Sequence, residues 1–252
     1  MNKNSILIHI PHSSLNIPEN ERSKILLSDL ELEEELIKMT DRYIDEIFDV
    51  PGFDKHINLV SRLVMDPERF RADKDERMSE VGMGAIYTKT SSGMPLRNIS
   101  LEEKEKMLTM YYDTYHKNLT EKVQEKINLY GNCIIIDAHS FPSRALLYET
   151  DETLNRPDIC IGYEEYHMSS ELLNSAKNFF SIIEGMNVSE NEPFAGSIVP
   201  NDFYMKDKRV TSIMIELNRS LYMDEITGEK LPQFESIKKI IAKFLDSFIV
   251  NI

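Results

Sequence analysis

The run Cys133-Ile134-Ile135-Ile136 is apolar at every position and passes at once into Asp137-Ala138-His139. A strand without apolar–polar alternation has no face for water. It belongs in a sheet covered by helices on both sides, and such sheets are mostly parallel.

The rest of the chain supplies partners and cover. Ser5 to Ile10 reads as a strand ended by Pro11, and Ile57 to Met65 as a second, followed by Asp66-Pro67. Asp158 to Gly162 and Thr211 to Leu217 read as two more. Ser28 with Glu31 has capping-box spacing, and Leu36, Ile37, Tyr43, Ile44, Ile47 and Phe48 recur at helical spacing. The pattern predicts one helix running to about Val50. Ser100 with Glu103 repeats the box before a long apolar stripe from Leu108 to Tyr130, which Gly131 ends. Ser169 to Glu184 and Ile237 to Ile249 predict further helices, and residues 72–98 a long loop. The expectation is a single α/β domain over residues 1–252, with a mixed, mostly parallel sheet flanked by helices.

Charge narrows the partners. With 29 Lys and Arg against 43 Asp and Glu, the net charge is −14. Nucleic acid and anionic membrane surfaces both require a basic footprint, so neither is an expected partner. Cys133 and Cys160 are too few for a disulfide framework and lie in apolar runs, as buried free cysteines do. The first apolar stretch is interrupted by His9 and ends at Pro11, too short for a signal-peptide core. No run approaches the roughly 20 apolar residues of a membrane span. A reducing, cytoplasmic setting is expected.

In open α/β sheets, ligands bind beyond the carboxyl ends of the strands. There the sequence places His12, Arg62, Asp66, Asp137 and His139, while Glu216 interrupts the apolar strand Ile213-Met214-Ile215-Glu216-Leu217. Imidazoles and a carboxylate on buried strands are costly to desolvate unless they are paired or bind a metal. A zinc hydrolase needs three protein ligands and an open position for water, with a carboxylate to take the water's proton. His12 and His139 are two candidate ligands and Glu216 the candidate base. Asp41 and Glu19 compete for the third ligand position.

His9 forms a His-x-x-His pair with His12, but residues three apart across a strand end point differently, so His9 reads as structural. Asp137 and Asp66 are placed to orient ligand histidines. Arg62, Arg69 and Arg219 are candidate binders of a substrate carboxylate through their planar, bidentate donors. His116, beside Tyr115 on the long helix, faces either the site or the core. There is no Gly-x-Ser-x-Gly elbow, and no Walker or dinucleotide glycine motif.

Several segments together resemble the N-formylglutamate amidohydrolase family, which is related to the zinc carboxypeptidases. They are Pro11-His12-Ser13-Ser14, Thr40-Asp41-Arg42-Tyr43-Ile44-Asp45, Ser61-Arg62-Leu63-Val64-Met65-Asp66-Pro67-Glu68-Arg69, and Tyr115-His116. Ile136-Asp137-Ala138-His139-Ser140, Asn191-Glu192-Pro193-Phe194-Ala195-Gly196 and Ile215-Glu216-Leu217-Asn218-Arg219 continue the series.

The resemblance implies a phosphorylase/hydrolase-like fold and one Zn²⁺ per chain, another divalent ion being the alternative. It favours Asp41 as third ligand beside His12 and His139, with Glu216 as base. The implied substrate is a small anionic N-acyl amino acid. N-formyl-L-glutamate, giving formate and glutamate as in histidine degradation, comes first. Another N-acyl amino acid or small peptide, or a catalytically silent binding module, are the alternatives. There are three departures, and the last two fall on substrate-contacting segments and touch the substrate more than the chemistry. Ser14 stands where the family usually has Gly, Asp-Pro-Glu-Arg replaces the commoner Asp-Leu-Asn-Arg, and Phe194-Ala195-Gly196-Ser197 replaces the usual Pro-Tyr-x-Gly-Gly.

Overall fold

In a computed structural model, which describes residues 2–149 and 156–250, six strands form one sheet in the order β2-β1-β3-β6-β4-β5. They are β1 (Ile6–Ile10), β2 (Asp54–Ile57), β3 (Cys133–Phe141), β4 (Ile159–Gly162), β5 (Val188–Glu190) and β6 (Val210–Asn218). All neighbouring pairs are parallel except β4 with β6. The sheet is therefore mixed and mostly parallel, as the unbroken apolar runs require. The helices are α1 (Glu19–Arg22), α2 (Asp29–Met39), α3 (Ile44–Ile47), α4 (Leu101–Met107), α5 (Thr114–Tyr130), α6 (Ser170–Ser181) and α7 (Phe234–Val250).

Side chains alternate between the two faces of a strand, and each face has its own cover. Ile6, Ile8, Ile134, Ile136, Ile213 and Ile215 pack with Ile44 and Ile47 of α3, Ala176 of α6 and Phe244 of α7. Leu7, Cys133, Ile135 and Val210 point the other way, onto Leu119, Val123 and Ile127 of α5. Both capping boxes form, Ser28 with Glu31 and Ser100 with Glu103. Gly131, with φ of 84°, ends α5 in the left-handed conformation that glycine adopts at little cost.

Three expectations are corrected. The helix expected through Val50 stops at Met39, because Thr40 is extended and Tyr43 adopts φ of 68°; α3 then restarts as a separate turn. The apolar spacing runs on through the break, which holds Asp41, while Asp45 lies within α3. The strand expected over Ile57 to Met65 is absent: β2 ends at Ile57, where the expected strand begins, and an irregular segment follows. Val60, Leu63, Val64 and Met65 are buried not in the sheet but under the 72–98 excursion and the start of the long helix. That helix is α4 and α5 joined through a wider π turn at Leu108–Asp113. Short β5 carries no apolar signal and was not foreseen.

Candidate active site

On β3, the face turned to α5 reads Cys133, Ile135, Asp137, His139; on β6 it reads Val210, Ser212, Met214, Glu216. β3 begins apolar over α5 and becomes polar towards its carboxyl end, and β6, apolar over α5 at Val210, ends in Glu216 on the same face. Their parallel register makes His139 and Glu216 direct neighbours. His9, on the same face of β1 as Leu7, meets Asp137 across the β1–β3 ladder. The polar cluster thus follows from period-2 alternation and register, not from strand ends alone.

His12 enters from the loop after β1, and Asp41 from the break between α2 and α3. The Asp41 backbone N–H donates to the His12 carbonyl at 3.0 Å, tying the two segments together. Tyr43 holds its left-handed φ just beyond, with its hydroxyl donating to the Gly228 carbonyl at 2.8 Å. A non-glycine residue in that region carries backbone strain, of the kind that collects at functional sites.

Three atoms able to ligate a metal converge. Asp41 Oδ2 lies 3.7 Å from His12 Nδ1 and 3.3 Å from His139 Nδ1. It is buried and accepts no hydrogen bond of good geometry among the described residues. The far nitrogens of both rings are engaged: His12 Nε2 with Asp66 Oδ1 at 2.9 Å, and His139 Nε2 with Asp137 Oδ1 at 2.9 Å. Carboxylates on Nε2 fix those protons there and turn both Nδ1 atoms towards Asp41. Glu19, the other candidate third ligand, is exposed on α1 and takes no part in the cluster.

Buried charges of both signs meet at this place. Burial alone would depress the His139 imidazole, but Glu68 and Asp137 raise it well above the usual histidine range. Burial disfavours the Asp41 carboxylate too, yet His12, His139 and Arg219 hold it well below the usual range. Asp66 is held ionised by Arg62 and His12 against its burial. A divalent ion bound by two imidazole Nδ1 atoms and a carboxylate fits the orphaned Asp41 oxygen and the two Nδ1 atoms turned towards it. Glu216 is different. Burial, assisted by Asp41 and Glu68 against the opposing pull of His139 and Arg219, pushes its carboxyl up to about 8. Its Oε2 is buried without a hydrogen-bond partner among the described residues.

The three arginines separate. Arg62 donates to the Met39 carbonyl at 3.2 Å and to Asp66 Oδ2 at 2.7 Å. Arg219 donates through all three nitrogens: to Ser140 Oγ at 3.2 Å, the Lys38 carbonyl at 2.5 Å and Asp41 Oδ1 at 3.0 Å. Arg69 alone is loosely held, its Nε 3.8 Å from Asp66 Oδ2 and without a hydrogen bond among the described residues.

Two residues gain weight that the sequence reading did not give them. Glu68 Oε2 lies 3.1 Å from His139 Nε2 and 3.9 Å from His12 Nδ1. The signal available was its departure from Asn in the Asp-Pro-Glu-Arg motif. His9, read as structural, bridges Tyr115 and Asp137: its Nδ1 donates to Asp137 Oδ1 at 2.7 Å and its Nε2 accepts from the Tyr115 hydroxyl at 2.6 Å. His116 faces neither the ligating atoms nor the core; it bonds the Pro67 carbonyl at 2.8 Å and lines a neighbouring cavity. A cavity of about 320 Å³ contains His12, Asp41, His139, Glu216 and the three arginines, with exposed Lys38 at its mouth.

A helix-covered, mostly parallel sheet with a His/Asp/His cluster and a buried glutamate over its carboxyl ends is the framework of an amide hydrolase. The chain belongs to the N-formylglutamate amidohydrolase family, whose model matches residues 4–223. The fold is that of an N-formylglutamate amidohydrolase from Ralstonia eutropha JMP134: TM-score 0.84 at 21% identity, covering 99% of this chain and 95% of that one. A gene product of Agrobacterium tumefaciens is also similar, with TM-score 0.60 at 18% identity over 98% of this chain and 92% of that one. No curated protein sequence matches.

Proposed function

We propose that the protein hydrolyses the amide bond of an N-acyl amino acid in a metal-dependent reaction. N-formyl-L-glutamate, giving formate and glutamate, is the substrate its family points to first. The observation that carries the reading is the convergence of His12 Nδ1, His139 Nδ1 and Asp41 Oδ2 beside the Glu216 carboxyl.

His12, Asp41 and His139 would hold one divalent ion, zinc by the family resemblance. When bound, it supplies Lewis-acid polarisation of the substrate carbonyl and acidifies water. Glu216, free at Oε2 and ionised once a bound cation offsets the burial that otherwise keeps it protonated, takes the proton of the attacking water and returns it to the departing amine nitrogen. Asp137 and Asp66 keep the histidine protons on Nε2. Arg69, whose guanidinium is not committed to the scaffold, holds the substrate carboxylate bidentately. Arg62 and Arg219 act through Asp66 and Asp41, as positioning residues.

A second reading, another N-acyl amino acid or a small peptide, is favoured by that sorting of arginines. One loosely held guanidinium suits one carboxylate better than two. The test of the chemistry is Glu216→Gln, expected to lower turnover by about 10²–10⁴-fold while metal content stays at that of the parent. Unchanged turnover on any N-acyl amino acid the parent hydrolyses would remove Glu216 as base, and a binding module would show no turnover in either protein.

A further inference from the structure

Glu68, Arg69, Ala195 and Met214 line a second cavity, of about 390 Å³, as well as the first. The two meet along these residues, and the chemistry above uses only the first. Phe70, Tyr112, His116, Ile198 and Tyr204 form much of the second wall. The Tyr112 and His116 rings pack at 4.2 Å, and their polar atoms serve the turn beneath: the Tyr112 hydroxyl donates to the Arg69 carbonyl at 2.9 Å, and His116 Nε2 to the Pro67 carbonyl at 2.8 Å. Burial lowers the His116 imidazole, so it stays neutral near pH 7. Among the described residues of this wall the charges are Glu68, Asp137 and, at the junction, Arg69.

We infer that the second cavity seats the substrate's amino-acid side chain, and that it selects an uncharged aromatic or large aliphatic side chain over an acidic one. The inference rests on the amidase reading, with Arg69 holding the α-carboxylate. A carboxylate at the junction puts Cα within one bond of it. The amide nitrogen and scissile carbonyl must then run into the first cavity, towards Glu216 and the paired imidazoles. The remaining substituent of Cα is the side chain, and the space left to it is the second cavity. A ring there replaces water against Phe70, Tyr204 and Ile198. A glutamate side chain would instead bring a second carboxylate past Glu68 and towards Asp137, with Arg69 already engaged. Burying an anion without a partner beside like charges is disfavoured on both counts.

The experiment compares kcat/KM of the zinc-loaded protein for N-formyl-L-alanine, N-formyl-L-glutamate and N-formyl-L-phenylalanine. The phenylalanine compound is expected to lead both others by at least about tenfold, the scale on which an apolar pocket discriminates side-chain size. Asn201, exposed at the rim of the second cavity and absent from the first, provides the control. Asn201→Trp should abolish the phenylalanine advantage and leave N-formyl-L-alanine within about twofold. Tyr204→Ala, which removes one ring from the same wall, should erode the advantage without blocking access. Calorimetry with the free amino acids separates the two ways of failing. L-phenylalanine binding more tightly than L-alanine and L-glutamate, weakened by Asn201→Trp, with no hydrolysis of any formyl compound, keeps the pocket and removes the amidase reading. N-formyl-L-glutamate turning over at least as well as the phenylalanine compound, or L-glutamate binding at least as tightly as L-phenylalanine, overturns the inference and leaves the amidase reading intact.

Discussion

Arg219 and Asp41 stand 178 residues apart in sequence and meet at 3.0 Å, and the contact differentiates the two oxygens of Asp41. Oδ1 accepts from the guanidinium, while Oδ2 is left facing the two Nδ1 atoms. Arg219 is itself pinned by Ser140 and the Lys38 carbonyl, so the guanidinium that holds Oδ1 is fixed in place. Arg219→Lys keeps the charge but loses the planar fork. Zinc affinity, measured by competition with a chromophoric chelator, is expected to fall about 10–100-fold, the usual effect of losing a ligand's orienting partner. Turnover at saturating zinc should suffer less than affinity. An unchanged dissociation constant would remove Arg219 from this role.

His9 makes a bracket behind His139. The line Tyr115–His9–Asp137–His139 runs through fully or nearly fully buried groups, with contacts of 2.6, 2.7 and 2.9 Å. His9→Phe fills most of the space but leaves Asp137 Oδ1 one donor short and the Tyr115 hydroxyl without its acceptor. Each orphaned polar group costs about 1–3 kcal/mol. The expected result is a lower thermal midpoint together with weaker zinc binding. Tyr115→Phe, which removes only the outer hydroxyl, should do less of both. Equal effects from the two variants would show that the line does not transmit orientation to His139.

The opposite face of the sheet should behave independently. Phe244 is fully buried, with Phe180 at 4.6 Å and Phe179 at 5.5 Å, in the cluster that includes Ile136 and Ile215 but neither His139 nor Glu216. Phe244→Ala should cost about 3–5 kcal/mol of stability by chemical denaturation. Zinc stoichiometry of the folded fraction should stay at the parent value. Loss of zinc without loss of stability would contradict the two-sided arrangement.

Much of this site could be read in the sequence because its carriers are local. An unbroken apolar run ending in Asp137-Ala138-His139, and a lone Glu216 inside another, report a buried polar end to a buried strand whatever the neighbours are. Asp41 was placed on a helix because the apolar spacing of Leu36 to Phe48 continues through it; the break depends on Tyr43 adopting a left-handed φ and on the long-range bond to His12. The arginines were identified as a set but could not be sorted, because partners such as Asp41 for Arg219 are set by tertiary contacts. Glu68 stands out in the sequence only as a motif departure, and its approach to His139 emerges only when the turn after Asp66 is folded against β3.

The metal-free protein should lose stability as pH rises, and Glu216 should carry the lower part of that loss. Its carboxyl titrates at about 8 in the fold, because burial penalises the ionised form. In the unfolded chain a glutamate titrates near 4.3. Between these values the native state keeps a proton that the unfolded state has released, so unfolding is increasingly favoured with rising pH. His139, raised by Glu68 and Asp137 against its burial, has the same sign, but its window opens only above about 6.5, the ordinary histidine value. Asp66 and Asp137 are depressed, and their contribution is lost only as pH falls below about 4, so measurements from pH 5 upward leave them out. Thermal melts of chelator-treated protein at pH 5 and pH 8 should show a lower midpoint at pH 8. His56, lowered to about 3 by burial, and His116, lowered likewise, act with the opposite sign below about 6.5, because the unfolded chain protonates them there. Glu216→Gln should therefore turn the fall between pH 5 and 6.5 into a rise and keep the fall above it. If the variant retains the whole fall, the penalty belongs to other groups and Glu216 is not the desolvated acid of this site.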